Sequence, residues 1–133
     1  MALVLKRILF VEDDIDIQAV ARMALEALGG FDVCVCNDGI EALAVAPTYH
    51  ADLILLDVMM PGMDGPDTLR NLRGLPETAT TPVIFMTARV QPGEVSQYQA
   101  LGAIDVIAKP FDPMLLSLTI TEIWTKYHER PGS

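Results

Sequence analysis

The chain has 133 residues, 51% of them hydrophobic, enough apolar material for one compact domain. Nine basic against eighteen acidic residues give a net charge of -9, which opposes attraction to nucleic acid or anionic lipid, so the domain is expected to bind neither. No apolar run approaches the ~20 residues of a membrane span. The apolar start is broken by Lys6 and Arg7 and closed by acids, unlike a secretory signal, so a cytoplasmic location is expected.

From the N-terminus, Ile8 to Val11 is a short, branched apolar run of the kind that forms a strand buried on both faces. Ile17, Val20, Ala21, Ala24, Leu25 and Leu28 then recur at helical spacing, and Gly29-Gly30 is the stop. Val33 to Cys36 reads as a second strand. Cys34 and Cys36 share one of its faces and lack the C-x-x-C redox spacing, so buried, reduced thiols are expected. Asp38 as N-cap and Glu41 three residues later form a capping box ahead of a short second helix.

Leu53 to Leu56 is the third strand, and Gly65-Pro66 opens a third helix that runs to about Arg73. Val83 to Met86 is the fourth strand, Glu94 to Leu101 a fourth helix of weak periodicity, and Val106 to Ala108 the fifth strand. Asp112 as N-cap and Pro113 at N1 start the last helix, with Leu116, Ile120, Ile123, Trp124 and Tyr127 on its inner face and Pro131-Gly132 at a frayed end. His50 and His128 have no carboxylate or cysteine cluster near them in sequence and read as surface histidines.

Strand and helix thus alternate five times, and right-handed crossovers place helices on both faces of a parallel sheet. The expected architecture is a flavodoxin-like, doubly wound α/β fold with five parallel strands in the order 2-1-3-4-5. There is no internal repeat or second core, so residues 1–133 are expected to be a single domain with its core at about 6–128.

Such sheets bind ligands beyond the carboxyl ends of their strands. Here those ends carry Glu12, Asp13 and Asp14 after the first strand, Asp57 after the third, Thr87 after the fourth and Lys109 after the fifth. Taken singly each has an ordinary explanation: an acid at a helix start, a turn residue, a solvated lysine. Their joint placement on one edge is much harder to obtain by chance.

The first and third strands are neighbours in this order, about 4.8 Å apart, which sets Asp13 and Asp57 side by side. Carboxylates that close repel unless a cation joins them. An all-oxygen site with room for water suits Mg2+ or Mn2+, whereas zinc would call for clustered His or Cys. With a cation and the Lys109 ammonium to neutralise phosphoryl oxygens, Asp57 can act as a nucleophile and form an aspartyl phosphate.

The segments ILFVEDD, LILLDVMMPGMDG, PVIFMTA and GAIDVIAKPF resemble the response-regulator receiver family over about residues 6 to 128. The spacings of 44 from Asp13 to Asp57, 30 on to Thr87 and 22 on to Lys109 are typical of receivers. The resemblance implies that Asp57 is the phosphoacceptor and that Asp13 binds the metal directly. Glu12 would then act through bound water, and the Met59 backbone carbonyl would be a further ligand. Thr87 is implied as the switch hydroxyl, Lys109 as the ion-pair partner of the phosphoryl group, Ala88 as the small residue above the site, and Lys109-Pro110 as a cis peptide. Met59 and Arg89 would flank the phosphoryl group and tune its hydrolysis.

The implied donor is a histidine kinase or a histidine phosphotransfer protein, and the implied output is a partner reached through the fourth strand, fourth helix and fifth strand. The domain would be a signalling switch, not a conventional enzyme, although it would catalyse its own phosphorylation and dephosphorylation. One departure stands out: receivers commonly carry Tyr or Phe three residues before the lysine, and this chain has Val106. The usual aromatic switch is therefore not available, and a receiver that serves only for docking remains open. A haloacid-dehalogenase-like phosphatase would want a second Asp at the position of Met59, and a flavin carrier a hydroxyl- and glycine-rich first loop in place of an acidic one. The apolar helix faces and the seven methionines are read mainly as core packing, with Tyr98 and Val95 on the fourth helix open to exposure.

Overall fold

The computed structural model describes residues 4–88 and 91–129, so Arg89 and the Pro131-Gly132 end lie outside the described residues. Its elements are β1 (Arg7–Val11), α1 (Ile15–Met23) continued by a π-helical turn (Ala24–Leu28), β2 (Asp32–Cys36), α2 (Gly39–Tyr49), β3 (Leu53–Asp57), α3 (Gly65–Arg73), a 3-10 turn (Pro76–Thr78), β4 (Val83–Thr87), α4 (Pro92–Ala100), β5 (Asp105–Ala108) and α5 (Leu116–Glu129). All strand pairs are parallel and the order is β2-β1-β3-β4-β5, as expected.

The strand period of two divides the core into two layers. Ile8, Phe10, Leu53, Leu55, Ile84 and Met86 pack against α1 and α5 through Ala21, Leu25, Leu116, Ile120 and Trp124. Leu9, Val11, Ile54, Leu56, Val83 and Phe85 pack on the other side against α2 and α3 through Ala42, Ala46, Leu69 and Leu72. Strands β3 and β4 are buried throughout, whereas β5 at the sheet edge is only partly covered. Cys34 and Cys36 lie on the α2 side, half-buried and buried, both as free thiols.

Several local expectations shift. Asp14 caps α1 by accepting from Asp16 and Ile17 N–H at 2.9 and 3.2 Å. The helix, however, widens to the π form from Ala24, and Val20 and Leu28, expected on the core face, are exposed. Asp38 accepts from Glu41 N–H at 2.8 Å, but the Glu41 carboxylate accepts from Asn37 instead of closing a reciprocal box. α4 starts at Pro92, two residues earlier than periodicity indicates, because proline suits a first turn. Asp112 does cap, accepting from Met114 N–H at 2.9 Å, yet Pro113 to Leu115 form a turn and the α-helix proper begins at Leu116.

His50 is exposed, as expected, in a left-handed conformation at the end of α2. His128 is half-buried, its ring 4.1 Å from that of Trp124, and so is less exposed than expected. Tyr98 and Val95 are half-buried as well, with Tyr98 set edge-on to Phe85 at 5.2 Å.

Candidate functional site

The carboxyl ends of β1, β3, β4 and β5 converge on one edge. Glu12 follows β1 directly and extends the ladder, its N–H donating to the Cys36 carbonyl at 3.0 Å. Its carboxylate is fully buried. Asp13 comes next and is exposed. Asp57 ends β3 and Thr87 ends β4, each 2% exposed. Lys109 stands one residue beyond β5, tied back by its N–H to the Thr87 carbonyl at 2.8 Å, and the Lys109-Pro110 peptide is cis.

The register pairs Val11 with Leu56, so Glu12 and not Asp13 stands level with Asp57. The side chains still meet. Glu12, Asp13 and Asp57 each offer a carboxylate oxygen within 4.8 Å of the others. Lys109 Nζ bridges the two buried acids, 2.9 Å from Asp57 Oδ1 and 3.0 Å from Glu12 Oε1.

Three carboxylates against one ammonium leave two negative charges uncompensated. Burial pushes the Glu12 carboxyl up to about 7; the Lys109 hydrogen bond works against that rise and the neighbouring Asp57 adds to it. Burial alone would pull the Lys109 ammonium down, but its bonds to Asp57 and Glu12 outweigh this and hold it above its usual value. The site is thus built to hold charge that its own residues do not balance.

A divalent cation fits that deficit in sign and size. Octahedral Mg2+ bonds of about 2.0–2.1 Å set ligand oxygens roughly 3 to 4 Å apart, which the 4.8 Å limit on these carboxylates accommodates. The loop after β3 is shaped to contribute as well. Val58 N–H donates to the Met86 carbonyl at 3.0 Å and Gly65 N–H to the Val58 carbonyl at 2.9 Å, with Gly62 at φ +77 between them. This turns the Met59 side chain out to 75% exposure. Gly65 has no room for a side chain, because a Cβ there would sit 2.5 Å from the Asp57 carbonyl oxygen. The start of α3 is thereby held against the strand that carries Asp57.

Two features had no sequence signal. A groove of about 490 Å3 opens beside the site, lined by Asp16, Ile17, Val20, Ala88, Lys109, Pro110 and Phe111. Val20, expected in the core, lines this groove instead. The Gln18 side chain also reaches the Glu12 backbone carbonyl. A single amide six residues from Glu12 has no periodicity to betray it.

The family profile of the response regulator receiver domain matches residues 8–121 of this chain. The chain belongs to the response-regulator receiver family. Among curated relatives, this receiver is 36% identical over 125 residues to the transcriptional regulatory protein CseB of Streptomyces avermitilis, covering 94% of this chain and 52% of that protein. It is 40% identical over 124 residues to the transcriptional regulatory protein CpxR of Klebsiella pneumoniae, covering 93% and 51%. The receiver therefore spans about half the length of these relatives.

Among solved structures, the chemotaxis protein CheY4 of Vibrio cholerae superposes with a TM-score of 0.83 at 31% identity, over 90% of this chain and 99% of that one. The receiver domain of a Pseudomonas aeruginosa sensor histidine kinase, described with a magnesium ion coordinated in its active-site cleft, gives 0.79 at 31% identity over 90% and 98%. Among the described residues of the receiver, no helix is long and apolar enough to cross a membrane.

Proposed function

We propose that this receiver takes a phosphoryl group on Asp57 from a phosphohistidine of a sensor kinase or phosphotransfer protein, in a Mg2+-dependent reaction that the domain itself catalyses. The observation that carries the reading is the Lys109 ammonium seated on the buried Asp57 at 2.9 Å and the buried Glu12 at 3.0 Å, with the exposed Asp13 completing an acidic triad.

Asp13, Asp57 and the Met59 carbonyl hold the cation, with Glu12 acting through water, and Mn2+ is an acceptable substitute. The cation supplies charge neutralisation at the phosphoryl oxygens. Asp57 Oδ attacks phosphorus in line, the O–P bond forms as the P–N bond to the donor imidazole breaks, and the imidazole leaves. Lys109 holds Asp57 in place through their 2.9 Å ion pair, and then pairs with a phosphoryl oxygen. Thr87 Oγ hydrogen-bonds another oxygen of the same group, and hydrolysis returns Asp57. The groove beside Ala88 and Lys109 gives a donor an apolar seat next to the reacting carboxylate.

Phosphorylation then biases the β4, α4 and β5 region, and through it an output partner in the cytoplasm. The net charge of -9 argues that this domain itself does not hold DNA.

The test is intact mass against time with acetyl phosphate and Mg2+, beside Asp57→Asn and magnesium-free samples. The expected gain is one phosphoryl mass, roughly 80 Da, dependent on Mg2+ and lost in the variant. A chain that gains no mass and shows no NMR response to beryllofluoride is a docking module and not a phosphoacceptor.

A further inference from the structure

The three site carboxylates are not held alike. Glu12 accepts from Lys109 Nζ at 3.0 Å and from Asp14 N–H at 3.2 Å, and Asp57 accepts from Lys109 Nζ at 2.9 Å. Asp13, the exposed member, makes no side-chain hydrogen bond among the described residues. With no side-chain bond to hold it, its carboxylate can reach only where the backbone places the Cα–Cβ bond, and that placement follows the orientation of the Glu12–Asp13 peptide.

That peptide is gripped by Gln18, half-buried in α1. Gln18 N–H donates to the Asp14 carbonyl at 2.9 Å, the first bond of the helix. The side-chain amide nitrogen donates to the Glu12 carbonyl and, at 2.9 Å, to Asn37 Oδ1 just beyond β2. Asn37 Nδ2 in turn donates to Glu41 Oε2 at 3.3 Å in the first turn of α2.

The sense of this relay is fixed from its far end. A carboxylate accepts only, so Asn37 must turn its nitrogen to Glu41 and its oxygen to Gln18, and Gln18 must turn its nitrogen to both acceptors. Both amide hydrogens are used, and the acidic turn is braced against α1 and α2 together.

We propose that Gln18 is a positioning residue for the cation site, holding the Glu12–Asp13 peptide so that the Asp13 carboxylate points at the ion. This rests on the cation-site reading above. Partners that orient metal ligands from behind are typically worth about 10- to 100-fold in metal affinity. Gln18 acts on one ligand of the set, so the lower end of that range applies.

The test is Mg2+ binding to the full chain by calorimetry and by NMR, with thermal unfolding in chelator to report the fold. Gln18→Leu removes both donors at similar size and is expected to weaken Mg2+ about tenfold. The half-saturating Mg2+ for acetyl phosphate labelling should rise in parallel, with the rate at saturating Mg2+ within about twofold of wild type.

Gln18→Glu separates positioning from bulk electrostatics. An added negative charge should tighten Mg2+ if only the field matters, whereas the positioning role requires weakening, because a carboxylate in place of the amide donates to neither acceptor. A folded Gln18→Leu with wild-type affinity, or a Gln18→Glu that tightens Mg2+, overturns the proposal. If Gln18→Leu does not fold, Asn37→Ala, which removes the brace but leaves the Gln18 bond to Glu12, is expected to weaken Mg2+ two- to threefold, and an unchanged affinity there also overturns it. Wild type that binds no Mg2+ overturns the cation-site reading itself, which is a separate outcome.

Discussion

Lys109 Nζ lies 2.9 Å from Asp57 Oδ1, yet the two residues are 52 positions apart and stand at the ends of β5 and β3, which are not neighbours in the sheet. The bond crosses beyond the end of β4, and Lys109 reaches Glu12 at 3.0 Å from the same position. Among the described residues, this one ammonium is the only positive charge paired with the two buried carboxylates.

Removing it exposes how much the fold leans on that pairing. Lys109→Ala leaves Glu12 and Asp57 buried with no cation of the protein's own. Breaking a fully dry pair costs about 3–5 kcal/mol, and because the Lys109 side chain is 15% exposed, water softens the loss. The expected loss is about 2–3 kcal/mol in magnesium-free urea unfolding, largely restored by saturating Mg2+. A loss under ~1 kcal/mol would mean that the two acids do not need Lys109.

Asp13→Asn should move stability the other way. Asp13 adds charge to a cluster already in excess of anions and makes no side-chain hydrogen bond among the described residues. Neutralising it relieves repulsion worth about 1 kcal/mol at this exposure and separation. The magnesium-free urea midpoint should therefore rise, and added Mg2+ should stabilise the variant far less than wild type. A midpoint that falls without Mg2+ contradicts the repulsion argument.

The elevated Glu12 carboxyl makes magnesium-free stability depend on pH. Its folded value of about 7 lies above the ordinary 4.5, so the proton favours the fold. That contribution is fully present below 4.5 and is lost as pH rises through about 7. Lys109, held above its ordinary value of 10.5, stays charged throughout this window and adds no slope. Urea midpoints without divalent cation should thus fall from pH 4.5 to 7 in wild type relative to Glu12→Gln. Equal slopes in the two proteins would place the titration elsewhere.

Much of this was legible in the sequence for a physical reason. Strands such as Leu53–Asp57 are buried on both faces and so appear as short apolar runs, and the fold then delivers whatever follows each run to one edge. Asp57, Thr87 and Lys109 were readable in that way. What was hidden depends on register and on single contacts. Only the Val11–Leu56 pairing reveals that Glu12 faces Asp57. The helical spacing from Ile17 to Leu28 assumed one period across a segment that widens at Ala24, which is why Leu28 ends up 55% exposed. His128 finds Trp124 one helical turn away, a pairing that the absence of acids near it in sequence did not address.

The two cysteines should differ sharply in reactivity. Burial pushes the Cys36 thiol up to about 12, with Cys34, Glu41 and Asp38 adding to the rise. The thiolate is the reactive form, so Cys36 should be inert at pH 8 while the half-buried Cys34 reacts slowly. Mass spectrometry after iodoacetamide treatment should show at most one adduct on native protein and two after unfolding. Rapid double labelling of folded protein would contradict the burial of Cys36.

The last prediction concerns how α4 is held when residue 106 is a valine. α4 has no buried residue, so it rests on half-buried side chains, of which Tyr98 is the largest. The Tyr98 ring meets Phe85 edge-on at 5.2 Å, and both Tyr98 and Val106 pack on the same side of the sheet. Phe85 lies two residues before Thr87 on β4, hence on the same strand face. Tyr98 thus supplies from the helix the aromatic contact that Val106 does not supply from β5. Tyr98→Ala should lower global stability by about 1–2 kcal/mol, since the ring is only partly covered. It should raise amide exchange in residues 92–100 well beyond that of α3, because an anchor of a weakly held helix governs local opening. Uniform acceleration of exchange across all five helices would show instead that Tyr98 serves the whole core and that α4 has another anchor.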